Sequence, residues 1–105
     1  MLVRSAFWIG TPHAGRESDL ADAIDTKLIP AMRRFPGVQA VHALWPQRRE
    51  DDPPSIYCQV VVLFESTEDM QAMLQSDERA ALRPQVGAAM ALFDGRVSHI
   101  DYQAR

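Results

Sequence analysis

The chain opens on a run of apolar and aromatic residues, Leu2 to Ile9, that ends at the breaker Gly10-Thr11-Pro12 and reads as a first strand, with residues 10–16 as a loop. From Glu17 to Arg34 the period changes. Leu20, Ile24, Leu28, Met32 and Phe35 recur at steps of three and four, which predicts an amphipathic helix. Its acids (Glu17, Asp19, Asp22, Asp25) come first and its bases (Arg33, Arg34) last, in the sense that suits the helix dipole. Pro30 falls inside the pattern, where it removes a hydrogen bond and crowds the preceding turn, so a kink is expected. Pro36-Gly37 ends the helix.

Val38 to Trp45 reads as a second strand and 46–55 as an exposed, charged, proline-rich connection. Ile56 to Glu65, with Val60-Val61-Val62-Leu63-Phe64 at its centre, is the strongest strand pattern in the chain. Ser66 and Thr67 offer N-caps to a short helix carrying Met70, Met73 and Leu74. Ser76-Asp77-Glu78 restarts a helix on which Leu82, Val86, Met90 and Phe93 share a face, weakened by Pro84 and Gly87. Asp94-Gly95 reads as a turn and Arg96 to Tyr102 as the last strand. The order β-α-β-β-α-β predicts an α+β fold of the ferredoxin-like kind: one domain over residues 1–105, a four-stranded antiparallel sheet with both helices on one side, and strands one and three in the middle.

The third strand departs from the alternation of a sheet with one wet face. Ile56, Cys58, Val60, Val62 and Phe64 form one face, yet Tyr57, Gln59, Val61 and Leu63 on the other are also largely apolar. The first strand repeats this, Val3, Phe7 and Ile9 opposing Leu2, Ala6 and Trp8. One layer of helices covers one side only. The uncovered side is expected to pack against a second sheet, most simply that of a second copy, giving a homodimer.

Composition narrows the function classes. The 105 residues are 47% apolar and 24% charged, with a formal net charge of −3. Arg33-Arg34 and Arg48-Arg49 are short pairs diluted by acids or prolines, so no basic field for nucleic acid is present. The single cysteine, Cys58, excludes an internal disulfide, and the N-terminal apolar run is too short for a membrane span and lacks a signal peptide's plan. A cytoplasmic protein with no nucleic-acid or membrane partner is expected.

Several motifs, in order and spacing, resemble the EthD-like proteins of the dimeric α/β-barrel superfamily over about Leu2 to Gln103. They are Pro30 late in the first helix, Arg33-Arg34-Phe35-Pro36-Gly37-Val38 before the second strand, Phe64-Glu65-Ser66 before the second helix, Ser76-Asp77-Glu78-Arg79-Ala80-Ala81-Leu82, and Phe93-Asp94-Gly95. EthD-like proteins often carry a histidine two residues before the helix-one proline. Leu28 stands there in this chain, so no role of that histidine carries over. The resemblance implies the paired-sheet fold. Proteins of that fold include cofactor-free monooxygenases, haem-degrading enzymes, lactone isomerases and proteins of unknown role, and the fold does not choose among them.

Candidate chemistry is sparse. His13, His42 and His99 are the only histidines, and none has metal-ligand spacing to another histidine or to Cys58. No metal or cofactor is expected. His42 and His99 lie in strands and are the acid–base candidates. Cys58 reads as a small core residue, Asp19, Asp22 and Asp25 as a solvated face, and the glycine-bearing run at 10–16 lacks the ending of a P-loop. By parity Trp8, Tyr57, Gln59 and Arg4 fall together on the open face, where an apolar chamber with a few polar tips would suit a small, mostly apolar metabolite. On this reading the protein is a binding or cofactor-free oxygenase- or isomerase-like protein. The alternatives are a non-catalytic assembly domain and a haem-dependent enzyme.

Overall fold

The computed structural model describes residues 1–105. Four strands, β1 (Leu2–Pro12), β2 (Ala40–Leu44), β3 (Ile56–Phe64) and β4 (Phe93–Gln103), form one antiparallel sheet in the order β2-β3-β1-β4. Strands one and three are central, as the element order predicts. The expected helices are present as α1 (Glu17–Ala23), a π-helical turn (Ile24–Leu28), α2 (Ile29–Met32), α3 (Thr67–Leu74) and α4 (Asp77–Met90).

Three local departures have physical causes. The kink expected at Pro30 takes the form of the π-helical turn just before it. The Pro30 ring would meet the Thr26 carbonyl of a regular α-helix, and widening the turn relieves that collision. β1 does not stop before Gly10 but runs through Gly10-Thr11 to Pro12, and Asp94-Gly95 is not a turn. The two segments pair with each other, Gly10 opposite Gly95. A Cβ at Gly95 would lie 2.0 Å from the Ile9 carbonyl oxygen, and one at Gly10, where φ is +138°, would lie 2.2 Å from that of Asp94. Glycine here lets two backbones approach inside a strand pair instead of breaking it. Finally, α4 runs unbroken through Pro84 and Gly87, and Ser76 caps it by accepting a hydrogen bond from the Arg79 N–H at 3.2 Å.

The register sorts the side chains into two layers. Cys58, Val60, Val62 and Phe64 of β3 face the helices, with Trp8, Ala6, Arg4 and Leu2 opposite them on β1, and Val97, His99 and Asp101 beyond on β4. With Leu20, Ile24, Leu28, Met70 and Met73 from the helices, this side holds the buried core. Phe64 is fully buried at its centre. Phe64→Ala is expected to lower unfolding stability by about 3–5 kcal/mol, read as a shift of the urea midpoint at unchanged slope.

No helix covers the other side. It carries Val3, Ser5 and Phe7 of β1, Gln59, Val61 and Leu63 of β3, His42 and Leu44 of β2, and Ser98, Ile100 and Tyr102 of β4. Leu44, Ile100 and Tyr102 are 46%, 48% and 42% exposed, so the apolar second face read from β3 is an actual exposed surface.

Candidate functional site

The structure divides the six candidate residues between the two faces. Gln59 and His42 lie on the open face. There Gln59 Oε1 accepts a hydrogen bond from the Ser5 hydroxyl at 3.0 Å, and His42 sits on β2 opposite Val61. Trp8, Arg4 and Tyr57 do not join them. Trp8 pairs with Cys58 and is 3% exposed beneath the helices, its ring edge-on to Phe93 at 5.4 Å. Arg4 shares that face and donates to Asp101 Oδ1 at 2.9 Å.

Tyr57 owes its position to a bulge. The pairing steps from Trp8–Cys58 to Ile9–Ile56, which leaves Tyr57 as the extra residue. A bulge swings a side chain out of alternation. The Tyr57 ring packs at 5.7 Å on the buried Phe93 and at 5.3 Å on Trp45, whose indole N–H donates to Asp25 of the first helix at 3.2 Å. Burial, then Cys58, Asp25 and Glu17, push its phenol above its ordinary value. Tyr57 therefore clamps the first helix to the sheet. Grouping Trp8, Tyr57, Gln59 and Arg4 on one face assumed unbroken alternation and a common phase for β1 and β3, and neither holds.

The chamber expected on the open face lies on the helix side instead. A cavity of about 460 Å³ opens between α4 and the outer half of the sheet. Its floor is Ala6, Trp8, Val60, Val97 and His99, its inner wall Leu28, Met32 and Phe35, and its roof the stripe Arg79, Leu82, Arg83, Val86 and Met90 of α4. It has the size and the apolar lining with few polar groups of a small-molecule site. A second hollow of about 430 Å³ lies between α1 and α4, but its Arg16 and Asp19 already pair with each other at 2.8 Å and are exposed.

His99 is the titratable group on the cavity floor. Burial lowers its pKa most, followed by the neighbouring charges of Arg4 and Arg79, while Asp101 opposes them. At neutral pH the imidazole is thus held neutral and able to accept a proton. A consequence for stability follows. As pH falls the unfolded chain takes up this proton first, near the ordinary value of 6.5. The contribution of His99 is present above that value and is lost as pH drops through it toward the lower folded one. His99→Gln is expected to flatten the pH dependence of the urea midpoint between about pH 7 and 5 relative to the parent.

Cys58 is buried, and burial, with Asp25 adding, pushes its thiol up to about 12, so it stays protonated as a core residue. No group of three or more His, Cys, Asp or Glu side chains is placed to hold a metal ion. No helix is long and apolar enough to cross a membrane.

Arg79 and Arg83 went unremarked as candidates, although the signal was present. Arg79 falls three residues before Leu82, Arg83 three before Val86, and the two are four apart, flanking the apolar stripe of α4.

Solved structures place this architecture. An ethyl tert-butyl ether D (EthD) family protein from Bacillus halodurans superposes with a TM-score of 0.72 over 100% of both chains at 16% identity. The chain shares the ferredoxin-like fold of that protein. SnoaB, a cofactor-independent oxygenase from Streptomyces nogalater, is similar at a TM-score of 0.63 and 16% identity, covering 99% of this chain and 91% of that one. A protein of unknown function from Nitrosomonas europaea reaches 0.62 at 23% identity over 96% and 85%. No family model matches the chain, and no curated protein matches its sequence. This full-length likeness bears out the ferredoxin-like fold implied by the resemblance read from the Pro30, Phe35-Pro36-Gly37 and Phe93-Asp94-Gly95 motifs.

Proposed function

We propose that this EthD-type protein is a homodimer joined through the open faces of its sheets, and that each protomer binds and transforms a small, mostly apolar metabolite in the cavity between α4 and the sheet. The observation that carries the catalytic part is the neutral His99 on the floor of a mostly apolar chamber. A neutral imidazole there accepts a proton from an acidic C–H or O–H of the substrate, leaving an enolate or phenolate. Reprotonation at another carbon gives an isomerisation. Electron donation from the anion to dioxygen gives a cofactor-free oxygenation, and the fold shared with a cofactor-independent oxygenase supports that outcome. Ala6 and Val97, half-buried beside His99 on the floor, supply apolar surface against which a ring can lie.

Pairing rests on the open face. A four-stranded sheet with strands of this length presents on the order of 500 Å² in projection, approaching the roughly 800 Å² that each partner gives a stable interface. The polar groups Ser5 and Gln59 near its middle are bonded to each other, which suits burial against a second copy.

The test is a screen of phenols and β-keto acids for oxygen uptake and for solvent-deuterium incorporation. For a substrate found this way, His99→Gln is expected to lower turnover by about 10²–10⁴-fold while leaving binding in place. Turnover unchanged in His99→Gln would remove His99 from the chemistry. Absence of any ligand binding would leave assembly through the open face as the function of the fold.

A further inference from the structure

The cavity has a charge of its own. Its lining includes two guanidinium groups, Arg79 and Arg83, and no carboxylate. The ion pairs of the chain are Arg4–Asp101, Arg16–Asp19 and Arg48–Glu50, so neither cavity arginine is neutralised. They stand four residues apart on one face of α4, a like-charge spacing that works against the helix unless something negative sits between them. Arg79 is half-buried and makes one side-chain hydrogen bond, to the Leu74 carbonyl at 3.3 Å, which leaves most of its donors free. Burial and the charges of Arg4 and Arg83 make its cation costly to hold, as expected where an anion is missing. The nearest acid on the sheet, Asp101, is already engaged by Arg4.

Resting on the cavity reading above, we infer that the ligand is an organic carboxylate. Its carboxylate is held by Arg79 and Arg83 at the α4 side, and its apolar body lies against Ala6, Val86 and Val97. The guanidinium fork matches the planar carboxylate in geometry as well as charge, and a site partly shielded from water strengthens that pairing. The same arrangement places the body of the ligand beside His99 and its charged end on α4.

The test uses the full chain and two probes of nearly one shape, a naphthalene carboxylate and the neutral naphthylmethanol, with affinities read by calorimetry at low and high salt. The parent protein is expected to prefer the carboxylate by at least about tenfold, the preference shrinking as salt rises. In the Arg79→Gln/Arg83→Gln protein the preference disappears while the alcohol binds as before, and Arg79→Lys/Arg83→Lys restores part of it. Equal binding of both probes by the parent overturns the carboxylate assignment and leaves the cavity reading standing. Binding of neither probe overturns both. The parent comparison needs no variant to fold, so the inference is decided even if the double substitution unfolds.

Discussion

Val61→Glu is expected to convert the proposed dimer into a monomer. Val61 lies on central strand β3, with Ser5 of β1 and His42 of β2 as its cross-strand partners, near the middle of the face that no helix covers. In a two-fold pairing every residue of the patch is present twice, so one substitution brings two carboxylates into a largely apolar interface, each with only the cross-strand His42 beside it. Burying charges so poorly partnered costs several kcal/mol, enough to raise the dissociation constant by about 10³-fold or more. Light scattering at micromolar concentration would show the mass halve, while far-ultraviolet dichroism stays that of the parent. The substituted side chain points away from the helix-side core, so the protomer fold is not the target. A parent protein that is itself monomeric at that concentration, or a Val61→Glu protein of unchanged mass, would remove the open face from the assembly.

Much of the fold was legible because it depends on periods. The steps of three and four in Leu20, Ile24, Leu28 and Met32, and the two apolar faces of Ile56 to Phe64, are set by local geometry and survive in the structure. The site was not legible in the same way, because it depends on register. Strand alternation says that Trp8 and Phe7 point to opposite sides, but not which of them meets Cys58 across the ladder. Parity inside β3 fails at Tyr57 because a bulge adds one residue there, and nothing in the run Ser55-Ile56-Tyr57-Cys58 announces it. Gly10 and Gly95, read as breakers, face each other where β1 and β4 leave no room for a Cβ. Glycine permits both a turn and a close approach, and only the pairing decides between them. Of the two histidine candidates, register alone separates them, putting His99 on the cavity floor and His42 on the opposite face at the other edge of the sheet.

The proposed assembly face and the proposed ligand site use the same two strands. β1 and β4 offer Ser5, Phe7, Ile100 and Tyr102 to the open face and Ala6, Trp8, Val97 and His99 to the cavity. On the proposed pairing, burial of one face would stiffen the floor of the other, so a dimer-breaking substitution such as Val61→Glu is expected to weaken a cavity ligand indirectly, through mobility of β4, the edge strand that carries His99.

Ala6→Phe is expected to abolish ligand binding without unfolding the protein. Ala6 sits on the cavity floor between Val60 of β3 and His99 of β4, and its side chain faces the helices. A benzyl group projecting from this position enters the cavity of about 460 Å³ instead of filled core, so the usual cost of overpacking is reduced. Filling apolar space should leave stability unchanged or raise it by up to about 1 kcal/mol. The naphthalene carboxylate and the naphthylmethanol should both lose affinity by at least about 10²-fold, because the space their rings require is taken. This loss differs in kind from that of the arginine substitutions, which spare the neutral probe, and from that of Val61→Glu, which acts through the dimer. A ligand bound on the open face would give the reverse pattern: Ala6→Phe would leave it bound, and Val61→Glu would expel it.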